Sequence, residues 1–323
     1  LLFAFACAAS GQVAYTRVAG GNPGPLSGDG GPATGAVLWP VEGVTTDRFG
    51  NLYITQPVSG AGGGFVRRVD SAGRITTIAG GAEFFYVNAL AFDTAGNLLV
   101  GDSNARRIIR VNGNGSVTVL VGAGGSTGDG PGASLSSGRI GRMAVDRNNN
   151  IYFTDTERYL VRRLSPDGIV TTIAGGGPVL PAGGQFSSPD GTPALQARIV
   201  NPNGIAVTPA GRVYFTDGPG GRAIRTIAAD GTLKTVAGLL DPDALCNGNP
   251  TSSAAVGALF CEVNDIAIEP SGKLYLTGRY FANFNTFTFV TRVDPDLNQL
   301  QGLVSIGGER GRGITVDKAG NVY

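Results

Sequence analysis

Apolar and polar positions follow one pattern that recurs six times along the chain. Each copy has a short apolar segment, a polar turn of the Asp-x-x-Gly-Asn type or a variant of it, and a second apolar segment. Two such segments joined by a tight polar turn predict a β-hairpin. The copies start 46 to 62 residues apart and span 43–55, 89–101, 142–154, 204–216, 265–277 and 313–323.

The turn in each copy places glycine or asparagine where a left-handed backbone is needed. Glycine adopts positive φ without steric cost, and asparagine tolerates it better than most other residues. We therefore expect positive φ at six positions: Gly50, Gly96, Asn149, Gly211, Gly272 and Gly320.

A second hairpin follows the first in each complete copy, as in 65–80 and 160–175. Arg alternates there with Val, Ile and Leu, which predicts strands with one buried and one solvated face and arginines paired locally with Asp. Two hairpins make the four strands of one propeller blade. The chain therefore predicts an all-β fold, a six-bladed β-propeller of four-stranded antiparallel blades.

The two ends of the chain suggest how the ring closes. Residues 15–21 match the fourth strand of the other copies, so we expect this strand to complete the sixth blade, within a propeller covering 13–323. Residues 1–10 are apolar and then small, which predicts the remnant of a secretory signal peptide. A first buried strand is the alternative. With the signal peptide, the protein would be secreted, extracellular or at the cell surface.

Composition narrows the function classes. The 323 residues contain 53 Gly and no His, and the net charge is +1. The missing imidazole excludes Ser-His-Asp triads, Cys-His pairs and the common His-based zinc sites within this sequence. Near-neutral charge argues against a nucleic-acid partner. After the first ten residues, no segment is long and apolar enough to predict a membrane span.

Two cysteines and one asparagine carry predictions tied to secretion. Cys246 and Cys261 remain if Cys7 leaves with the signal peptide, and an even count in a secreted protein predicts a disulfide bond between them. Asn114 begins the sequence Asn-Gly-Ser, an N-glycosylation acceptor in a hairpin turn.

The repeated frame resembles that of NHL-repeat β-propellers across nearly the whole chain after residue 10. The resemblance rests on the hairpin copies and on linkers of the Gly-Asp-Gly-Gly-Pro-Ala type at 28–33, 128–133 and 189–194. Propellers of this kind host sensor, adhesion and RNA-binding modules and a lyase, so fold does not decide function. We expect a non-catalytic protein- or glycan-binding or structural module without a cofactor. Self-assembly stays open, and the contacts would lie in loops 56–64, 178–200, 241–262 and 278–289.

The alternative is a calcium-dependent hydrolase similar to propeller lactonases and gluconolactonases. Its Ca²⁺ would bind carboxylates at the channel, for which Glu42, Glu262 and Asp265 are the candidates because they lie near first-strand starts. The linker carboxylates Asp29, Asp129 and Asp190 are a further calcium option. We expect them instead to cap the short helical turns that follow.

Five aromatic residues cluster in the least repetitive segment: Tyr280, Phe281, Phe284, Phe287 and Phe289. They predict either an exposed partner contact or an elongated hairpin with alternate rings buried. Asp102, Asp155 and Asp217 end three second strands, and we expect them to bond backbone amides in the following turns.

Overall fold

Four four-stranded antiparallel sheets and one five-stranded antiparallel sheet follow one another along the chain of the computed structural model. The structure describes residues 2–7, 13–20, 28–38, 40–57, 63–81, 84–113, 115–122, 124–178, 186–241, 254–282, 285–296, 298–307 and 311–323. In each sheet four strands pair in sequence order as two consecutive hairpins, and in the five-stranded sheet a two-residue strand, Gly130–Pro131, is added beside the fourth. This confirms the propeller class, and the five sheets are blades 1 to 5.

The strand bounds are as follows. A two-stranded sheet holds β1 (Leu2–Cys7) and β2 (Val13–Ala19); blade 1 holds β3 (Val44–Thr46), β4 (Leu52–Gln56), β5 (Gly64–Val69) and β6 (Ile75–Gly81); blade 2 holds β7 (Val87–Phe92), β8 (Leu98–Asp102), β9 (Arg107–Val111) and β10 (Val117–Val121); blade 3 holds β11 (Gly130–Pro131), β12 (Ile140–Val145), β13 (Ile151–Asp155), β14 (Leu160–Leu164) and β15 (Ile169–Ala174); blade 4 holds β16 (Ile205–Val207), β17 (Val213–Asp217), β18 (Ala223–Ile227) and β19 (Leu233–Gly238); blade 5 holds β20 (Glu262–Ile268), β21 (Leu274–Ala282), β22 (Asn285–Asp294) and β23 (Gln299–Gly307). Short 3₁₀ turns span Ala33–Gly35, Gly132–Ser134, Ala194–Gln196 and Pro219–Gly221.

The hydrophobic core lies between blades rather than within them. Phe153 of blade 3 packs with Leu99 and Ile108 of blade 2, and its neighbour Tyr152 packs with Phe215 of blade 4. Successive residues of a strand point to opposite faces, so both faces of a strand find apolar partners. Each blade is therefore stabilised by its neighbours, as the alternating sequence pattern requires.

The sixth copy forms less than a blade. The structure has five complete blades rather than the six predicted, and the described residues 311–323 contain one bridge between Val316 and Val322. Thr315 and Tyr323 exchange two backbone hydrogen bonds of 2.9 Å, which forms the start of the same hairpin as in the other copies.

The first strands do not close the ring by pairing. Strand β2 pairs antiparallel with β1, and no described pairing joins it to the sixth copy. Instead Val18, Ala19 and Tyr323 pack into one cluster with the core of blade 1. In a complete blade the fourth strand pairs with the third strand of the same blade. Strand β2, which resembles a fourth strand, pairs here with β1 instead. Whether residues 1–10 are a signal remnant is not tested by this pairing and stays a prediction.

The hairpin turns have the predicted backbone. Five glycines, at 50, 96, 211, 272 and 320, have φ between 82° and 91°, and Asn149 has φ 63°. In most copies an Asp starts the turn; Asp47, for example, accepts backbone N–H bonds from Phe49 and Asn51 at 2.8 and 2.9 Å. The repeated turn is therefore specified locally by Asp and Gly.

Three arginines are among the largest fully buried side chains of the described chain: Arg67, Arg162 and Arg225. They occupy equivalent positions on the third strands of blades 1, 3 and 4, opposite Ile54, Phe153 and Phe215. The prediction of solvated faces is wrong for Arg67 and Arg162, whereas Arg68 and Arg163 next to them are partly exposed. A buried guanidinium needs a countercharge, and the sequence supplies it from two places.

One countercharge comes from the end of the second strand. In blade 4, Asp217 Oδ2 lies 3.1 Å from Arg225 Nη1, and both side chains are buried. The Asp217 carboxylate also accepts N–H bonds from Val200 and Gly218 at 2.8 and 2.7 Å. Asp155 and Asp102 likewise accept turn amides from Arg158 and Ala105. The predicted structural role of these aspartates is confirmed.

The second partner comes from the linker that precedes the blade. Arg67 Nη2 lies 2.7 Å from Asp29, and Arg225 Nη2 lies 3.0 Å from Asp190. Asp129 and Asp190 also accept the N–H and the hydroxyl of a fourth-strand threonine, Thr172 or Thr235.

The prediction that the linker aspartates cap the 3₁₀ turns is therefore wrong. These turns have no side-chain cap. The aspartates instead hold the linkers against the outer strands of blades 1, 3 and 4.

The arginine and the linker occur together. Blades 2 and 5 lack the Asp-Gly linker segment found at 29–30, 129–130 and 190–191, and at the arginine position they carry Ile109 and Thr291. A buried cation is tolerated only where a carboxylate reaches it, so each residue requires the other.

Replacing Arg225 with alanine is expected to lower the free energy of unfolding by about 3–5 kcal/mol, because Asp217 would remain as a buried, uncompensated charge. Urea denaturation measures this loss. The matched control is Arg139→Ala, whose exposed pair with Glu157 should contribute about 1 kcal/mol or less. Equal losses in the two variants would contradict the assignment of a buried charge network to blade 4.

Candidate functional site

The axis of the propeller is lined by the innermost strands of the blades. A cavity of about 270 Å³ is bounded by 43–46, 90–92, 142–145, 205–207, 265–268 and 314–316. An innermost strand has a neighbour on one edge only, so its other edge turns backbone N–H and C=O groups toward the channel. Those groups need partners, which makes the axis the place where polar side chains are expected.

Arg142 crosses this axis and bonds to backbone carbonyls from several copies. Its Nη1 donates to Asn88 O at 2.8 Å, and its Nη2 donates to Glu42 O at 3.1 Å and to Arg312 O at 2.6 Å. The side chain is only 8% exposed. One guanidinium thus joins the inner ends of blades 1, 2 and 3 and of the sixth copy, using the fixed fork of donors that arginine provides.

Asp265 supplies the countercharge from blade 5. Its Oδ2 lies 3.4 Å from Arg142 Nε and accepts the backbone N–H of Ile314 at 3.2 Å, and its Oδ1 accepts the N–H of Ile266 at 2.9 Å. Burial raises the pKa of Asp265 to about 6, against the opposing influence of Arg142 and the two amides. At neutral pH the carboxylate is ionised and fully engaged.

Asparagine amides tie further inner ends together. Asn88 Nδ2 donates to the carbonyls of Ile140 and Gly141, both at 2.8 Å. Asn203 Nδ2 donates to Asn264 O at 2.8 Å, and Asn264 Nδ2 donates to Gly311 O at 2.6 Å. We call these three asparagines together with Arg142 and Asp265 the axial cluster.

The first residue of the repeated pattern differs among the copies, and this difference explains why Arg142 and Asp265 meet at the axis. The first residue of the repeated pattern is Gly43, Gly204 or Gly313 in three copies and Ala89 in a fourth. A Cβ on Gly43 would approach Asn88 O to 2.5 Å, and one on Gly313 would approach Glu42 O to 2.7 Å. Only two copies place long side chains here, Arg142 and Asp265, and these two form an ion pair. Sequence analysis found Asp265 but missed Arg142, although an arginine in a glycine position was a visible signal.

The three calcium candidates each face an arginine. Besides the pair of Asp265, Glu42 pairs with Arg312 and Glu262 pairs with Arg279. Glu42 also accepts the Tyr86 hydroxyl at 2.8 Å; burial first, and then the Glu42 charge, raises the pKa of that phenol. A calcium site needs several oxygens free to converge on one cation. These carboxylates converge on guanidinium groups, so they do not fit a channel Ca²⁺.

Among the residues that the structure describes, no three His, Cys, Asp or Glu side chains come together in a group that could hold a metal ion. The cluster contains a guanidinium that donates to backbone carbonyls and a carboxylate already bonded three times. Neither is positioned as a free nucleophile or base. What this arrangement does chemically is neutralise backbone dipoles and hold the blades in register.

The predicted aromatic contact is largely inside the protein. Tyr280 and Phe289 are buried, which corresponds to the elongated-hairpin alternative and not to an exposed contact of these two rings. Phe289 stacks on Phe260 at 5.3 Å and Tyr280 on Phe287 at 5.3 Å. Strands of 9 and 10 residues pair along their whole length, which turns alternate rings toward the core. Phe281 and Phe287 are partly buried, and Phe284 lies outside the described residues.

Other predicted positions are only partly in view. Cys261 is buried and disulfide-bonded, but its predicted partner Cys246 lies outside the described residues, so the pairing stays a prediction. Asn114 also lies outside them. Within the described ranges, no helix has the length and apolar character to span a membrane.

The connecting-loop end of the propeller exposes aromatic rings on three successive blades. Phe85 is 58% exposed, Tyr159 41% and Phe186 50%. They lie in the connections before β7, between β13 and β14, and before β16, all of which return the chain at the same end of the blades. We call these three residues the loop-end aromatics.

Comparison with known proteins gives one family. A family model described as the teneurin NHL domain matches residues 85–267. Teneurin-4 of Mus musculus is 26% identical over a match that covers 59% of this chain, and Teneurin-4 of Homo sapiens is 25% identical over the same share. The match covers 8% of the length of these relatives.

Solved structures show the same fold at low identity. A gluconolactonase from Xanthomonas campestris is 17% identical with a TM-score of 0.56, covering 87% of this chain and 80% of its own. A protein of unknown function from Bacteroides thetaiotaomicron is 23% identical with a TM-score of 0.53, covering 72% of this chain and 55% of its own. At such identities the likeness concerns the fold alone.

The raised pKa of Asp265 predicts a pH dependence of stability. The native carboxyl keeps its proton up to pH about 6, whereas an unfolded Asp releases it near pH ~3.9. Between these values the native state binds more protons, so the free energy of unfolding falls with rising pH and then levels off. Over this pH range the titration of Asp265 lowers the free energy of unfolding by about 3 kcal/mol. The Asp265→Asn variant should lack it, and parallel stability curves for the two proteins between pH 4 and 7 would refute the assignment.

Proposed function

The chain belongs to the teneurin NHL domain family, and from this we propose that it is a secreted, non-catalytic NHL propeller. In this proposal it binds a protein or a glycan through its connecting loops or serves as a structural assembly module. The single observation that carries the non-catalytic part is the Arg142–Asp265 ion pair at the axis. The channel end where propeller enzymes would need a reactive group is bridged by structural bonds.

The alternative is the calcium-dependent hydrolase, and the solved gluconolactonase has a similar overall fold. The charges at the axis argue against assigning hydrolase activity to this chain. A hydrolase with a channel Ca²⁺ requires carboxylates that the metal can neutralise. Here Glu42, Glu262 and Asp265 are each neutralised by an arginine. The acidic charge is already used within the protein.

The loop-end aromatics support a partner contact at the connecting loops. Large exposed rings are unusual on a surface without a partner when they recur on neighbouring blades, and aromatic side chains are the commonest anchors of binding surfaces. The bonds at the axis also support a contact at the connecting loops, because loops on a rigid scaffold can present a constant binding surface. Parts of the predicted contact loops, namely 58–62, 179–185, 242–253 and 283–284, lie outside the described residues.

Secretion is supported by the apolar start of the sequence and by the disulfide-bonded Cys261. Disulfides persist mainly in oxidising compartments. A disulfide near the start of β20 would restrain the long connection before blade 5, which a secreted protein benefits from.

Calcium titration separates the two functions. We expect isothermal calorimetry with Ca²⁺ to give no binding heat and thermal melting to show no shift, because the candidate carboxylates are occupied by arginines. Asp265→Asn should behave identically toward Ca²⁺. A Ca²⁺-dependent rise in melting temperature that Asp265→Asn or Glu42→Gln abolishes would establish the hydrolase-type site and overturn the proposal.

A glycan array tests the glycan form of the partner proposal. We expect the wild-type chain to bind a subset of printed glycans and the triple variant Phe85→Ser, Tyr159→Ser, Phe186→Ser to lose at least about 1 kcal/mol of affinity per contacting ring. The control is Phe49→Ser, because Phe49 is 71% exposed in a hairpin turn at the opposite end. Equal binding by the triple variant and the wild type would place the contact elsewhere.

A further inference from the structure

Three arginines gather around one exposed carboxylate where the connecting loops of blades 2 and 3 meet. Arg106 Nη2 lies 3.1 Å from Glu157 Oε2, and Arg139 Nε lies 3.1 Å from Glu157 Oε1. Arg158 follows Glu157 in the chain and pairs at 3.5 Å with Asp155, whose side chain is fully buried. We call the three arginines together with Glu157 the arginine cluster.

The two arginines that share Glu157 are also the most exposed members of the cluster. Arg106 is 54% exposed and Arg139 is 57% exposed. A guanidinium has several N–H donors, and one shared carboxylate engages only some of them. At the same end of the propeller, by contrast, Arg312 pairs with Glu42. The positive charge at the boundary of blades 2 and 3 is therefore only partly neutralised within the described chain.

The backbone of this boundary also points to a role outside the fold. Arg106 and Tyr159 each lie four residues after the aspartate that ends the second strand, and their φ angles are 54° and 57°. Blade 4 has Gly221 at the equivalent place, with φ 68°. Glycine adopts this left-handed conformation without steric cost, whereas other residues are strained there, and such strain is concentrated at functional sites.

Exposed aromatic rings flank the arginines on both sides. The backbone N–H of Phe85 donates to Asp102 Oδ2 at 3.0 Å, which places Phe85 beside the turn that contains Arg106. On the other side Tyr159 follows Arg158 directly in the chain. The boundary thus presents guanidinium groups between two flat apolar rings.

Hydrogen bonds to the backbone fix the positions of the two exposed arginines. The Ser137 hydroxyl donates to Arg106 O at 2.6 Å, and the backbone N–H of Thr156 donates to Arg139 O at 2.9 Å. These bonds connect the loop of blade 2 to the two loops of blade 3. A ligand would therefore meet donors whose positions are already set, which lowers the entropic cost of binding.

We propose that the arginine cluster, together with Phe85 and Tyr159, binds an anionic polysaccharide whose sulfate or carboxylate groups contact Arg106 and Arg139. The planar fork of arginine donors matches the geometry of such oxyanions. The two rings offer surfaces on which the apolar C–H faces of sugar rings can pack. This inference rests on the proposed partner contact at the connecting loops and names the chemical class of its ligand.

Two other anionic partners fit these features less well. An acidic peptide would engage the guanidinium groups, but it supplies few flat faces for Phe85 and Tyr159. A nucleic acid would stack on the rings, but its binding surfaces usually show a basic excess that a net charge of +1 does not provide. Both are separate outcomes of the test.

Glu157 competes with such a ligand for the same donors. Its carboxylate already accepts from Arg106 and Arg139, so an incoming anion must share or displace it. Removing this charge should therefore tighten binding. A purely structural ion pair predicts no such gain, which makes Glu157 the most informative position of the cluster.

Isothermal calorimetry of the whole chain with two oligosaccharides tests the proposal. A heparin octasaccharide offers sulfates and carboxylates, and an octagalacturonate offers carboxylates alone. We expect at least one of them to bind the wild type, and we expect the double variant Arg106→Gln, Arg139→Gln to raise its dissociation constant by about tenfold or more. The matched control is Arg147→Gln, Arg212→Gln, which removes two exposed arginines from turns at the opposite end.

Three single variants separate binding from folding. Glu157→Gln should lower the dissociation constant by about threefold or more, because it releases donors to the ligand. Tyr159→Ser should raise the dissociation constant by about tenfold without changing its salt dependence, because no charge is lost. Arg106→Gly should bind more weakly while its melting temperature stays the same or rises, because glycine relieves the left-handed strain.

The proposal is overturned by a wild type that binds neither oligosaccharide, or by equal weakening in the two double variants, which would indicate unspecific attraction. Tighter binding of polyglutamate or of single-stranded DNA, lost in the Arg106→Gln, Arg139→Gln variant, would assign the cluster to a peptide or to a nucleic acid. Neutral glycans that bind the wild type and not the triple aromatic variant on the array would leave the proposed loop contact standing without an anionic ligand.

Discussion

The guanidinium of Arg142 joins the inner ends of blades that do not pair with one another through backbone hydrogen bonds. The innermost strand of a blade has no strand on its axial side, so carbonyl groups from all copies point toward the channel. Arg142 donates to three of these carbonyls beyond its own blade and pairs with Asp265 of blade 5. Arginine suits this position because its donors diverge in a plane and its charge does not depend on pH. The side-chain amides of Asn88, Asn203 and Asn264 likewise donate to backbone carbonyls around the axis.

A related rule operates at the circumference, where a buried cation is matched by a carboxylate from the linker. Blades whose linker contains the Asp-Gly segment bury an arginine on the third strand, and blades without it carry Ile109 or Thr291. The cost of burying an unpaired charge couples two segments about 40 residues apart, as in Arg67 and Asp29. Blade identity is therefore decided by pairs of residues that lie in different segments of the chain.

These two networks leave the connecting loops as the surface to which the proposed function assigns partner binding. The axis holds charges that neutralise one another, as in the pair of Arg142 and Asp265. The connecting loops carry the exposed rings of Phe85, Tyr159 and Phe186 at one end of the blades.

The sequence by itself determined the blades, because their signals are local. Alternating apolar residues, Asp and Gly in the turns, and repetition specify hairpins without reference to distant residues, and Gly50 and Asn149 have the backbone that the pattern predicted. The absence of His limited the chemistry in the same direct way. The tertiary structure alone decided which charges meet. Arg142 and Asp265 are 123 positions apart, and the linker aspartates reach across whole blades. Periodicity within a strand shows which face a side chain occupies, but it does not show which blade supplies its counterion, since that depends on how the ring brings distant strands together.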